Sequence, residues 1–279
     1  MVGTETSVTH LRSVAAGHRP PASMKLGDFV EADIPFGPSL RRADLLRAAQ
    51  AWMSKHHRNE RLYKALVAKK LLKGRYSLRT SALLTEFRIG ASIVDCIVVN
   101  GHGHAYEIKT ELDSPQKLQK QLADYRRAFR YVTVITHDSL AGRYADLLGG
   151  TPTGLLALSP RGALSPRLTA TAWADDLHIP TMFAALRQAE YRSIHRNITG
   201  EMPQFRPVDE YKACLEQAQM VDAAQYSTLF EEQLRARRAL LPDILAEETF
   251  EPVLPQCATI NPTPLQAARI REWLESEVD

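Results

Sequence analysis

The chain has 279 residues, 44% hydrophobic, 24% charged and 7% aromatic; that balance predicts a soluble globular protein of one or two domains and excludes disordered, collagen-like and coiled-coil classes. No run of about 18 apolar residues occurs, and the first 25 residues lack the apolar stretch of a secretory signal, so the expectation is a cytoplasmic protein with no membrane contact. The formal charge of +3 is uneven: residues 200–279 hold 15 acidic against 7 basic residues, leaving 28 basic against 17 acidic in residues 1–199. A basic body with an acidic tail region admits a polyanionic partner but needs chemistry beside it to specify one. Cys96, Cys214 and Cys257 lie far apart without metal-ligand spacing, which opposes a disulfide framework and a structural zinc site.

Residues 1–39, with Pro20-Pro21 and the DIPFGPS stretch, read as an irregular arm. Apolar residues recurring at three and four predict two basic amphipathic helices, Leu40 to about Ser54 and about Asn59 to Leu72. Their arginines and lysines suit either a solvated face or a phosphate-tracking surface. A third helix is expected from about Leu78 to Phe87, with Glu86 near its end. Ser92 to Val99 is a β-branched run interrupted only by Asp95, the pattern of a central strand covered on both faces. Asn100-Gly101 marks a turn, and His104 to Thr110 is the returning strand, placing Glu107 and Lys109 on one face and Tyr106 and Ile108 on the other.

Ser114-Pro115 reads as an N-cap followed by proline at the first helical position. The helix it opens runs to about Arg130, with Leu118, Leu122, Tyr125 and Phe129 on one stripe and Gln121 beside it. A strand at Tyr131–Thr136, a short helix from Asp138 to Leu148, and a hairpin of Thr153–Leu158 with Ala163–Ala170 at the sheet edge follow. Beyond Trp173 helical periodicity dominates, with proline-bearing loops at Met202–Val208 and Glu251–Pro264. Three regions result: the arm 1–39, an α/β domain over 40–172 that includes the basic helices, and a mainly helical, acidic region over 173–279.

The chemistry concentrates between Glu86 and Tyr125. A carboxylate inside an apolar strand costs several kcal/mol unless it meets a cation, a donor or a metal. If the hairpin centres on Gly101, pairs sum to 202 and Asp95 lies opposite Glu107. Two adjacent carboxylates repel, and a divalent cation between them relieves this, magnesium or manganese suiting all-oxygen ligation better than zinc. Lys109 beside such a metal would orient a water and neutralise charge developing on a phosphoryl oxygen, a set suited to phosphodiester hydrolysis. A buried Asp95–Lys109 ion pair with Glu107 at its rim is the purely structural alternative.

Asp95 followed by Glu107-Ile108-Lys109 on the next strand resembles the PD-(D/E)xK nuclease superfamily. Glu86 matches that superfamily's additional acidic residue, and Gln121-Leu122-Ala123-Asp124-Tyr125 is similar to the QxxxY motif of its RecB-like branch. The resemblance covers about Ser77 to Leu158 and departs from the pattern at Val94, where proline is common. It implies a restriction-endonuclease-like mixed sheet flanked by helices, here with helical N- and C-terminal extensions. It implies metal ligation by Glu86, Asp95, Glu107 and the Ile108 carbonyl, with Mg2+ or Mn2+ as cofactor. Lys109 would position the water, Gln121 would orient Lys109 or the phosphate, and Tyr125 would support the helix and contact DNA. Arg126, Arg127 and Arg130, read from the sequence as lying on the outer side of the glutamine helix, suit either contacts to backbone phosphates or a solvated helix face. The expected activity is metal-dependent hydrolysis of DNA, in a setting such as phage defence, mobile elements or repair. The competing expectation is a catalytically inactive nuclease-like module that binds nucleic acid or protein. A homodimer or protein partner would use the helical C-terminal region, whose negative charge should keep it from the cleavage cleft or make it a gate.

Overall fold

The computed structural model describes residues 7–18, 40–56, 67, 69–71, 76–110, 113, 115–159 and 163–278. In chain order its helices begin with α1 (Val8–Ala15) and α2 (Arg42–His56). The strands β1 (Ala82–Ile89), β2 (Ser92–Asn100) and β3 (His102–Lys109) follow, then α3 (Leu118–Arg126), β4 (Tyr131–His137), α4 (Ala141–Leu148), β5 (Gly154–Leu158) and β6 (Leu164–Leu168). Seven helices complete the chain: α5 (Ile179–Ala184), α6 (Gln188–Thr199), α7 (Pro207–Ala218), α8 (Ala223–Ala236), α9 (Pro242–Leu245), α10 (Leu254–Ile260) and α11 (Pro264–Glu275). The architecture is α/β, with one six-stranded mixed sheet in the order β1-β2-β3-β4-β5-β6. Among the described residues no helix is long and apolar enough to cross a membrane.

The chain forms two compact units, residues 1–85 with 238–279, and residues 86–237. These divisions fall elsewhere than the sequence-based boundaries at 39/40 and 172/173. In the first unit α1 packs on α10 and α11, and α2 on α11 and the 3-10 segment Glu248–Val253. Two arginines of α2 and a nearby lysine are engaged. Arg47 bonds Asp44 at 2.8 Å and Glu251 at 3.0 Å, Lys69 also pairs with Glu251, and Arg42 lies over the Trp273 ring. Acidic residues from the end of the chain thus neutralise basic ones from its beginning.

The second unit carries the sheet. The β2–β3 pairing runs Cys96↔Tyr106 to Asn100↔His102, so pairs sum to 202 as expected. Gly101 turns the hairpin at φ 79°, a left-handed conformation glycine adopts without steric cost. β3, β4 and β5 are parallel, joined through α3 and α4, and β5 returns to β6 antiparallel at the edge. Helix α8 packs on β2 and β3: the buried Glu231 accepts the Gly103 N–H at 2.9 Å, and Phe230 meets the Phe129 ring. A Cβ at Gly103 would lie 2.8 Å from Phe129 and 3.1 Å from Glu231. Gly103→Ala is therefore expected to destabilise the protein by about 2 kcal/mol through overpacking, measurable as a lowered urea midpoint with unchanged slope.

Five expectations require correction. Residues 82–89 are a strand, not the helix expected from Leu78 to Phe87. The run Ala82-Leu83-Leu84 fits either period, and pairing in the sheet decides it. The supposedly irregular arm contains α1, which Ser7 caps by accepting the His10 N–H and which buries Leu11, Val14 and Ala15. Helix α3 stops at Arg126 rather than Arg130, because Ala128 and Phe129 both bond back to the Tyr125 carbonyl. The segment from Glu251 is largely helical: Pro255 and Pro264 stand within the first two positions of α10 and α11, where no N–H is needed, while Pro252 lies inside the 3-10 segment and Pro262 in the loop between the two helices. The return strand β3 runs from His102 to Lys109 rather than from His104 to Thr110, with His104 stacked on Tyr106. Most of the expected Asn59–Leu72 helix, and the Ser114 cap, lie outside the described residues; residues 67 and 69–71 are helical.

Candidate active site

Register places the site. One step beyond Cys96↔Tyr106, Asp95 of β2 faces Glu107 of β3, and period two puts Lys109 on the same face as Glu107. Asp95, Glu107 and Lys109 are only 7%, 2% and 5% exposed. The Asp95 carboxylate accepts the Ile108 backbone N–H at 2.8 Å. Lys109 Nζ donates to Glu107 Oε1 at 2.7 Å and to Gln121 Oε1 at 2.9 Å. Tyr125 Oη, one helical turn beyond Gln121 on α3, lies 2.6 Å from Glu107 Oε2 and 2.8 Å from the Ile93 carbonyl. Two strands and one helix thus bring together Asp95, Glu107, Lys109, Gln121 and Tyr125.

Burial, and then the charge of Asp95, push the Glu107 carboxyl up from 4.5 to about 7, against the opposing pull of Lys109 and Tyr125. Burial and the neighbouring Glu107 likewise push the Tyr125 phenol up, so it remains a donor. That phenol has one proton and faces two acceptors. Its O–H is directed at both Glu107 Oε2 and the Ile93 carbonyl, one donor shared between two acceptors. Tyr144 of α4 also lies within the field of Lys109 and Glu107.

Glu86 does not join this set. It sits exposed on β1 with φ 52°, and among the described residues no three or more His, Cys, Asp or Glu side chains converge as a metal site. A left-handed non-glycine residue in a strand is strained by about 1 kcal/mol. Glu86→Gly is expected to raise stability by about that amount in chemical denaturation, and unchanged or lower stability would show that the side chain makes a compensating contact.

The arginines divide. Arg126 donates to Thr153 at 2.6 Å and Arg130 to the Ala224 carbonyl at 2.9 Å, both half-buried, while Arg127 is 54% exposed. Only Arg127 has its guanidinium mainly in solvent. The sequence reading missed Ser92 and Asp124. Ser92 Oγ donates to the buried Asp124 carboxylate at 2.6 Å, tying α3 to the start of β2 beside the Tyr125–Ile93 bond. Asp124 offered a signal: a carboxylate immediately before Tyr125, on the buried side of the helix.

Two apposed carboxylates beside a lysine suit a hard divalent cation, Asp95 and Glu107 supplying the oxygens. The Ile108 N–H is taken by Asp95, and its backbone pairs with Ile135 in the parallel ladder.

A family model described as bacteriophage P4 protein cII matches residues 53–147, a span containing β1 to β4 and all five clustered residues. No curated protein and no solved structure matches the chain.

Proposed function

We propose that the protein is a metal-dependent nuclease that hydrolyses phosphodiester bonds, DNA being the substrate. The observation that carries this reading is Lys109 Nζ held between Glu107 and Gln121, with Asp95 and Glu107 buried together on neighbouring strands. It supports a restriction-endonuclease-like assignment of the sheet and the likeness to PD-(D/E)xK enzymes. A divalent cation, Mg2+ or Mn2+, held by Asp95 and Glu107 would lower the pKa of a bound water and offset phosphoryl charge. Lys109 orients that water and stabilises the charge developing on the phosphate. Gln121 fixes the ammonium, and Tyr125 fixes the carboxylate. Arg127 is the exposed cation available for a backbone phosphate; Glu86 would ligate only after a change at β1.

The near-complete burial of Asp95, Glu107 and Lys109 favours a second reading, a catalytically silent nuclease-like binding module. Incubation of the pure protein with linear, circular and single-stranded DNA in magnesium, manganese or EDTA decides between them. Metal-dependent cleavage is expected. Binding without cleavage under every condition would sink the enzymatic reading and leave the module.

A further inference from the structure

Beside the turn joining β1 to β2 lies an open groove of about 420 Å³, bounded by Phe87, Arg88 and Gly90 on one side and Pro180, Ala184 and Ala185 on the other. Its volume falls within the roughly 300–1,000 Å³ typical of small-ligand sites. Phe87, Pro180, Ala184 and Ala185 give the groove apolar surface beside Thr181 and Arg88, and one ring face of Phe87 is covered by Arg237, which is itself engaged by Glu190. Arg88 brings one cation to the groove. It is exposed and forms no ion pair among the described residues. Arg127 Nη1 lies 3.9 Å from Asp124 Oδ1, the atom nearest a Cβ built on Gly90. Asp124 immediately precedes Tyr125, whose hydroxyl meets Glu107.

We infer that this groove holds one unpaired nucleotide of a nucleic-acid strand, its base against Phe87, Pro180 and Ala184 and its phosphate at Arg88 and Arg127. The inference rests on the nuclease reading and adds a substrate class to it: single-stranded or locally unpaired nucleic acid. Base stacking on an aromatic wall tolerates any sequence, while the two guanidinia supply the salt-dependent part of the affinity. Duplex DNA, with its bases stacked inward, has no group to place against the apolar wall.

Fluorescence anisotropy of the full chain in EDTA, with labelled oligothymidylate and a labelled duplex, tests this. Arg88→Ala should weaken single-strand binding about tenfold and reduce the slope of log affinity against log salt by about 0.7. Ala184→Glu, at an exposed helix position outside the core, should block the groove to a similar extent, while duplex binding changes less than twofold. Unchanged single-strand binding in both variants, equal losses on both probes, or no single-strand binding by the parent protein would overturn the inference. Cleavage by wild-type protein with normal binding in the groove variants would remove the groove and keep the nuclease. Weakened binding in those variants without cleavage by the wild type would keep the groove and remove the nuclease.

Discussion

Glu107→Gln is expected to abolish cleavage, by on the order of 10³ or more, and yet to leave the metal-free protein more stable than wild type above neutral pH. The amide oxygen can accept from Lys109 and the amide nitrogen can donate to Tyr125, reproducing the bonds of protonated Glu107 without its ionisation. In wild type the folded carboxyl keeps its proton up to about 7, whereas the unfolded chain releases it near 4.5. Between those values the folded state binds more protons, so stability falls as pH rises. That interval corresponds to roughly 3 kcal/mol, fully lost once the pH exceeds the folded value. Urea unfolding in EDTA at pH 5 and pH 8 should show this fall in wild type and a much smaller one in the variant. A wild-type stability that does not decline over the interval would refute the assigned ionisation.

Lys109→Ala should also remove cleavage, again by on the order of 10³, without recovery at higher magnesium and with DNA affinity changed only a few-fold. The lysine is the cation closest to Glu107 and the group to which Gln121 is bonded. Without it two buried carboxylates face each other uncompensated, a loss that in buried pairs costs about 3 kcal/mol. Glu107 can avoid part of that cost by staying protonated, so destabilisation should be small at pH 5 and grow toward pH 8. The double variant Glu107→Gln/Lys109→Ala should recover much of the stability and none of the activity, a non-additivity expected of residues in one network. Retained cleavage in highly purified Lys109→Ala protein would reject the role given to the ammonium, and additive stability effects would reject the coupling.

These variants separate two demands that the fold places on one cluster. The raised Glu107 pKa reflects a buried carboxylate pair that lowers stability at the pH where a cation would bind. Such a cost is a usual signature of sites arranged for chemistry rather than for packing.

The sequence by itself determined the site's local geometry, because period two and a glycine-centred turn are short-range. Asp95 inside an apolar strand, Gly101 as the pivot and Glu107-Ile108-Lys109 on the return strand set the register, and helical spacing put Gln121 and Tyr125 on one face of α3. What only the tertiary structure decided depends on partners distant along the chain. Residues 82–89 became a strand because an adjacent strand was available, which moved Glu86 out of reach of the carboxylate pair. Arg126 and Arg130 are held by Thr153 and Ala224, and Arg47 by Glu251 across about two hundred residues, so these three basic residues, which looked free in sequence, are engaged. The groove at Arg88 exists only because the turn after β1 meets a helix ninety residues further on, and no pattern within either segment announces that meeting.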